Sequence, residues 1–220
     1  MKKSSFTIIL VLIGMILLLV SSLLVYREWS PEDDSAATIY YLSPNASDSN
    51  TGTNASPWKT LVKADASASP GDTVILKDGV YSGYITLRKS NVTWRAENKH
   101  KAVIDGGFAP GMLNNNWNNI VSLWNTKCSN KGMFAALLAI RDADNVTIDG
   151  LFIRNSCGRG LGISTSSGSE TINNITVKNT MIDWTTTSGI YAEPAFSQKD
   201  VFQTKMDNFQ FIDNVMTRTA

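Results

Sequence analysis

A chain of 220 residues with a formal net charge of +1 holds material for one folded domain once its apolar N-terminus is set aside. Its acids and bases balance without a basic stripe, so no nucleic-acid partner is expected. A single histidine, His100, in the polar run Glu97 to Lys101, supplies neither a zinc cluster nor a Ser-His-Asp triad.

From the N-terminus, Met1-Lys-Lys3 precedes an uncharged apolar run from Phe6 to Val25. As a helix, such a run crosses a hydrocarbon core of about 30 Å. Cleaved signal peptides have apolar cores of about 7–15 residues with a small-residue site close behind. Here the nearest such site, Ser35-Ala-Ala37, lies well past the run. The expectation over residues 1–30 is therefore an uncleaved signal anchor with a transmembrane helix, secretion after cleavage being the alternative. Lys2 and Lys3 stay inside while Glu32, Asp33 and Asp34 lie beyond, which places the following domain outside a cell membrane. Tyr26 and Trp29 suit an interfacial belt, and residues 31–38 form a solvated linker.

The folded part is expected over 39–220. Ile39-Tyr-Tyr-Leu42 has the composition of a strand and Ser43 to Pro57 that of a polar turn region. Asp48-Ser-Asn-Thr-Gly52 spaces oxygen ligands like the opening of a calcium loop. It lacks the later bidentate Glu, which favours a hydrogen-bonded turn. Pro57 to Ala68 reads as a short helix with Trp58, Leu61, Ala64 and Ala68 on one face, stopped by Pro70-Gly-Asp72. Strands follow at Thr73–Leu76, Tyr84–Leu87, Asn91–Trp94 and Ala102–Asp105, with a turn at Lys77-Asp-Gly79.

The string Tyr40-Tyr-Leu-Ser-Pro, Asp48-Ser-Asn-Thr-Gly-Thr, Pro57-Trp-Lys-Thr, Pro70-Gly-Asp-Thr-Val and Asp78-Gly-Val-Tyr resembles the amino-terminal cap of right-handed parallel β-helix proteins of the pectate-lyase-like superfamily. The resemblance implies an all-β solenoid with a cap over 39–72, rungs over 73–220 and polysaccharide as partner. It is specific for the fold and much less so for the reaction, because one scaffold carries several chemistries. The cap helix would seal the unpaired strand groups and apolar cross-section of the first rung.

Past Asp105 the rungs repeat. Asn145 to Ile163 is followed without a gap by a second copy in which Asn145 matches Asn174, Val146 Ile175, Ile148 Val177, Ile153 Ile182, Ser156 Thr185, and Gly160-Leu161 Gly189-Ile190. A third copy opens at Asn208-Phe-Gln-Phe211, and Asn91-Val-Thr-Trp94 is an earlier half-copy. Asn before apolar-polar-apolar marks a bent or left-handed corner ahead of a short strand. A repeat this short cannot bury its own apolar face and must stack on its neighbours, about 4.8 Å apart. Val146/Ile175/Phe209, Ile148/Val177/Phe211, Ile153/Ile182 and Leu161/Ile190 then form inward columns. The same register sets Asp149 beside Lys178 and Arg154 beside Asp183, where lateral ion pairs are favoured over catalysis. Three of the five Asn-x-Ser/Thr triplets are strand starts, which argues against glycan acceptors there.

Residues 108–132 interrupt the rhythm as an inserted loop. Its Asn run and Trp117 and Trp124 match sugar hydroxyls and sugar-ring faces; packing of both rings on the solenoid wall is the equal alternative. Cys128 and Cys157 either pair in an oxidising compartment or remain as two buried thiols. Uronan lyases and epimerases of the resembling superfamily abstract a proton beside a carboxylate, neutralised by Ca2+ or by Arg or Lys; hydrolases need two carboxylates at a defined separation. The turn groups available are Arg141, Asp142, Asp144, Arg159, Glu193 and Lys199. Asp142 and Asp144 flank a rung start and are the candidate calcium ligands, with solvated turn carboxylates as the favoured alternative. No spacing among these turn groups amounts to a catalytic signature; Arg159 and Glu193, at the loop ends of successive rungs where they could line a groove, are the candidate catalytic residues.

The expected function is an extracytoplasmic protein acting on acidic polysaccharide by lyase or epimerase chemistry. A non-catalytic carbohydrate-binding or structural surface module is the alternative, and a glycoside hydrolase the second. Thr217-Arg-Thr-Ala220 offers no C-terminal cap, so the domain is expected to be C-terminally incomplete or to self-associate at its last rung.

Overall fold

The computed structural model describes residues 36–108, 124–128, 135–166, 171–193 and 206–219, together with Met15 and Ser122. The chain divides into two units, Met1–Ala36 and Ala37–Ala220. Apart from Met15 the Phe6–Val25 run lies outside the described residues, as do 31–35 of the linker. Among the described residues no helix is long and apolar enough to cross a membrane.

The second unit opens with β1 (Ile39–Leu42) and α1 (Leu61–Ser67), then winds through repeated three-strand coils. The first coil is β2 (Thr73–Leu76), β3 (Gly79–Ser82) and β4 (Ile85–Leu87). The second is β5 (Thr93–Ala96), β6 (Ala102–Asp105) and β7 (Ala136–Arg141); the third β8 (Thr147–Asp149), β9 (Phe152–Ser156) and β10 (Arg159–Ser164). Then come β11 (Ile172–Lys178), β12 (Met181–Thr185) and β13 (Ile190–Glu193), and finally β14 (Met206–Ile212) and β15 (Val215–Thr219). Like strands of successive coils pair in parallel and form three walls: β1-β2-β5-β8-β11-β14, β3-β6-β9-β12-β15 and β4-β7-β10-β13, here sheets A, B and C.

The inward columns are as the repeat requires as far as β12, while Phe211, expected to extend one of them, is exposed in the last described coil. Ile175 faces Phe209 and Val177 lies between Ile148 and Phe211. Ile182 pairs with Ile153, and Ile190 with Leu161. Val146, Ile148, Ile153, Leu161, Ile175, Val177 and Ile182 are all buried, each contributing about 1.5–3 kcal/mol of apolar burial before entropy is counted. Phe211, Ile212, Val215 and Met216, in the last described coil, are exposed.

Asparagine builds the corner ahead of sheet A. Asn91, Asn145, Asn174 and Asn208 are all left-handed, with φ of 60°, 55°, 57° and 53°. Their side-chain amides form a ladder: Asn145 Nδ2 donates to Asn91 Oδ1 at 2.8 Å, Asn174 to Asn145 at 2.7 Å and Asn208 to Asn174 at 2.7 Å. The triplets at Asn91, Asn145 and Asn174 are thus corner elements, with the amide nitrogens of Asn145 and Asn174 engaged in the ladder. His100 is also a corner residue, with φ of 62° and Nε2 2.7 Å from the Asn179 carbonyl.

At the N-terminal cap, Asp48 serves the expected turn. Its Oδ1 accepts from Lys59 N and Thr60 N at 2.9 Å each, and its Oδ2 from Thr60 Oγ1 at 2.8 Å. Burial opposes its ionisation, yet these bonds hold the carboxyl below its ordinary range. The helix therefore starts at Leu61 and not at Pro57: Asp48 takes the preceding amides, and Thr60 caps the helix by accepting from Lys63 N at 3.1 Å. Trp58 remains buried below it, stacked on Tyr40 with ring centroids 4.5 Å apart. Gly52, at φ 81°, leaves room for that indole, since a Cβ there would lie 2.6 Å from Trp58 Cε2. Strands β3 and β7 are additions to the sequence expectation.

Candidate functional site

The outer face of sheet C carries a trough of about 300 Å³. Its strands alternate. Ile85, Leu87, Leu138, Ile140, Leu161 and Ile163 point into the core and are buried, which leaves the intervening positions facing out. One outer row is Thr86, Ala139, Gly162 and Tyr191; the next holds Arg141 and Ser164, with the Glu193 backbone in register beside Ser164. Small side chains make the floor low. Gly162 is tightly placed, because a Cβ on it would meet Ala136 Cβ at 2.6 Å.

Cations and aromatic rings form the walls. The Arg159 guanidinium lies over the Tyr191 ring, 3.3 Å from its centroid, and Arg141 Nε donates to Ser164 Oγ at 3.3 Å. Tyr84, from the first coil, closes the side nearest sheet B and also lines the trough. The register sets Arg159 opposite Ala136 and Arg141 opposite Ser164, so their backbones are five residues apart, about 16 Å of strand. Arg141 and Arg159 thus give the trough a guanidinium toward each end, each able to bind an anionic group. Arginine binds a carboxylate through two parallel bonds, and a ring face packs on apolar C–H surface.

The turn that presents Arg159 is held on several sides. Cys157 is disulfide-bonded to Cys128 across 29 residues, with Cα atoms 5.4 Å apart, and both are buried with Phe108 against Tyr84. Cys157 N donates to Tyr84 OH at 2.8 Å, and Ser156 Oγ to Arg159 O at 2.7 Å. Of the two states left open by the sequence, the structure adopts the paired one.

The candidate residues are distributed as follows. Arg159 lines the trough. Glu193 lies on the same sheet, its backbone opposite Ser164, at the Arg141 end and not beside Arg159. Asp142 is held by Arg88 Nη1 at 3.2 Å and by the backbone N–H and hydroxyl of Ser166. Asp144 Oδ1 accepts from Asn173 N at 2.7 Å. Among the described residues no three His, Cys, Asp or Glu side chains gather to hold a metal ion. Trp117 and Lys199 lie outside the described residues, and of Trp124 only the backbone is described, at the start of the π-helical turn Trp124–Cys128. Tyr84, Tyr191 and the Ala136–Gly162 floor were not foreseen. The repeat carried the only usable signal, since matching Gly160-Leu161 to Gly189-Ile190 also sets Gly162 against Tyr191.

The lateral charges on sheet B need one correction. Arg154 does lie opposite Asp183, but its ion pair is with Asp105 at 2.7 Å, one coil earlier, while Asp183 pairs with Arg218, one coil later. Burial opposes ionisation of Asp105, yet bonds from Gly107 N, Asn155 and Arg154 outweigh it and hold the carboxyl below its ordinary range. Asp183 is lowered likewise, burial being outweighed by bonds from Arg218 and Thr217. The Lys178–Asp149 pair forms as expected, at 3.5 Å.

Comparison with known proteins places this architecture. A family model described as the Pel9A-like, right-handed β-helix region matches residues 40–214. Uncharacterized protein YwoF of Bacillus subtilis (strain 168) is 28% identical over 131 residues, which cover 60% of this chain and 25% of that protein. Pectate lyase L of Dickeya chrysanthemi is 35% identical over 71 residues, 32% of this chain and 17% of that protein. The crystal structure of pectate lyase Pel9A superposes with a TM-score of 0.53 at 17% identity, covering 82% of this chain and 48% of that one. The chain thus spans a quarter or less of the length of these two sequence relatives. Three parallel walls, a cap helix and a family match over most of its length identify this chain as a member of the Pel9A-like right-handed β-helix family.

Proposed function

We propose that this protein binds an acidic polysaccharide along the sheet C trough and acts on it by lyase or epimerase chemistry, outside the cell and tethered through residues 1–30. The observation that carries the proposal is the pair Arg141 and Arg159 lining one low-floored trough with Tyr84 and Tyr191. Membership of the Pel9A-like family and the likeness to pectate lyase L support the polymer class. The Cys128–Cys157 disulfide supports an oxidising compartment. The tether rests on the Phe6–Val25 run and its flanking charges.

Arg141 and Arg159 neutralise uronate carboxylates, which acidifies the C–H beside each. The proton acceptor of this reading is Glu193, which is not among the described lining residues but whose backbone lies in register two strands from Arg141, at that end of the trough. The electron pair left behind forms a carbon–carbon double bond as the glycosidic oxygen departs and takes a proton, which is the lyase outcome. In an epimerase the carbanion is reprotonated on its other face.

A non-catalytic binding module is the second reading, favoured by the absence of an acid among the described residues that line the trough. Incubating the full chain in detergent with pectate, alginate and chondroitin separates the two. Rising ultraviolet absorbance from unsaturated ends shows a lyase, and solvent deuterium entering the sugar shows an epimerase. Glu193→Gln is expected to retain binding and lose either signal. Binding with neither signal from the unaltered protein leaves the module, and no binding to any uronan removes both.

A further inference from the structure

The 156–159 turn is tied to three parts of the molecule outside its own strands. Through Cys128–Cys157 it is joined covalently to the turn 124–128. Through Cys157 N to Tyr84 OH, at 2.8 Å, it is joined to the first coil. The coil above also holds it, since Thr186 Oγ1 donates to Cys157 O at 2.6 Å, and Thr186 N and Thr187 N donate to Gly158 O at 3.1 and 3.3 Å. Arg159 follows directly and lies on Tyr191. Its reach is thus set two residues upstream, where the sulfur bridge, Phe108 and Tyr84 form a small core separate from the main one.

We infer that the Cys128–Cys157 disulfide positions Arg159 for binding acidic polymer, so that opening the bridge weakens the trough without unfolding the solenoid. The inference rests on the trough as the polymer site. The main core runs through the inward columns and contains neither cysteine; the coils therefore persist when the bridge opens. A dithiol reductant supplies the two electrons and two protons: the S–S bond breaks, two S–H bonds form, and the reductant closes its own disulfide. Freed of the bridge, the turn samples more conformations, and Arg159 leaves its stacked geometry for part of the time.

The test measures pectate binding by the full chain in detergent, oxidised and dithiothreitol-reduced, with Arg159→Ala in both states and Asn174→Ala as a control that loosens the fold away from the trough. Reduction of the unaltered protein is expected to weaken binding about tenfold, equivalent to one misplaced charge-assisted bond. Arg159→Ala should bind equally in both states, since nothing remains to be positioned. Oxidised Asn174→Ala should bind like the unaltered protein. Equal binding before and after reduction overturns the inference, as does a redox effect of the same size in Arg159→Ala. Hydrogen exchange at the Thr186 and Thr187 amides, faster after reduction, reads the positioning without a ligand. Faster exchange with no pectate binding in either state keeps the positioning and removes the polymer from the trough; unchanged exchange removes the positioning itself.

Discussion

Asn174 donates its side-chain amide to Asn145 Oδ1 at 2.7 Å, one coil below, and both residues hold a left-handed backbone with φ of 57° and 55°. The corner needs a residue that tolerates φ above zero and carries both a donor and an acceptor, so that each amide bonds the coil on either side. Glycine meets the first need alone, and alanine meets neither. Asn174→Gly is therefore expected to lose about 1–1.5 kcal/mol through its ladder bonds. Asn174→Ala should lose about 2–3 kcal/mol, because the left-handed penalty adds to that loss. Urea unfolding checks the order, and equal cost for the two variants contradicts it.

Acid stability follows from the carboxyls on sheet B. Asp105 and Asp183 titrate below their ordinary value in the folded chain, where bonds from Gly107 N, Asn155 and Arg154, and from Arg218 and Thr217, outweigh burial. A carboxyl lowered on folding stabilises the protein above its unfolded pKa, and that stability is lost as pH falls through the folded one. The loss is thus expected below about pH 4. Arg154→Met should make stability fall less steeply over that range, because Asp105 then titrates nearer its unfolded value. Urea midpoints at successive pH values check this, and an unchanged slope contradicts it.

The coils were legible in the sequence because they rest on period. Asn145, Val146, Ile148 and Ile153 recur as Asn174, Ile175, Val177 and Ile182, and stacking fixes which lies over which. The ion pairs show where period stops helping. Arg154 and Asp183 are neighbours, as the register requires, but Asp105 and Arg218 lie outside the two clean copies and bind them instead. The left-handed positions Trp184 and Arg218, inside sheet B strands, carry no local signature. The trough was hidden for another reason: its floor depends on the smallness of Ala136 and Ala139 and the missing side chain of Gly162, and its Tyr84 wall comes from a coil outside the repeat.

Filling that floor is expected to close the site. A Cβ at Gly162 meets Ala136 Cβ at 2.6 Å, so Gly162→Leu must displace the β7 side of the trough. Overpacking of this kind costs about 1–3 kcal/mol, which a coil buried on both sides should survive. Pectate binding is expected to fall below detection while circular dichroism remains that of a folded β protein. Retained binding places the polymer elsewhere.

Charge recognition by the two arginines is measured directly by isothermal titration of the full chain in detergent with pectate. Arg141→Ala and Arg159→Ala should each weaken binding about tenfold and the double variant about hundredfold, with an unchanged melting temperature. The affinity of the unaltered protein should fall as salt is raised. A double variant that binds pectate as tightly as the unaltered protein contradicts the assignment of the trough.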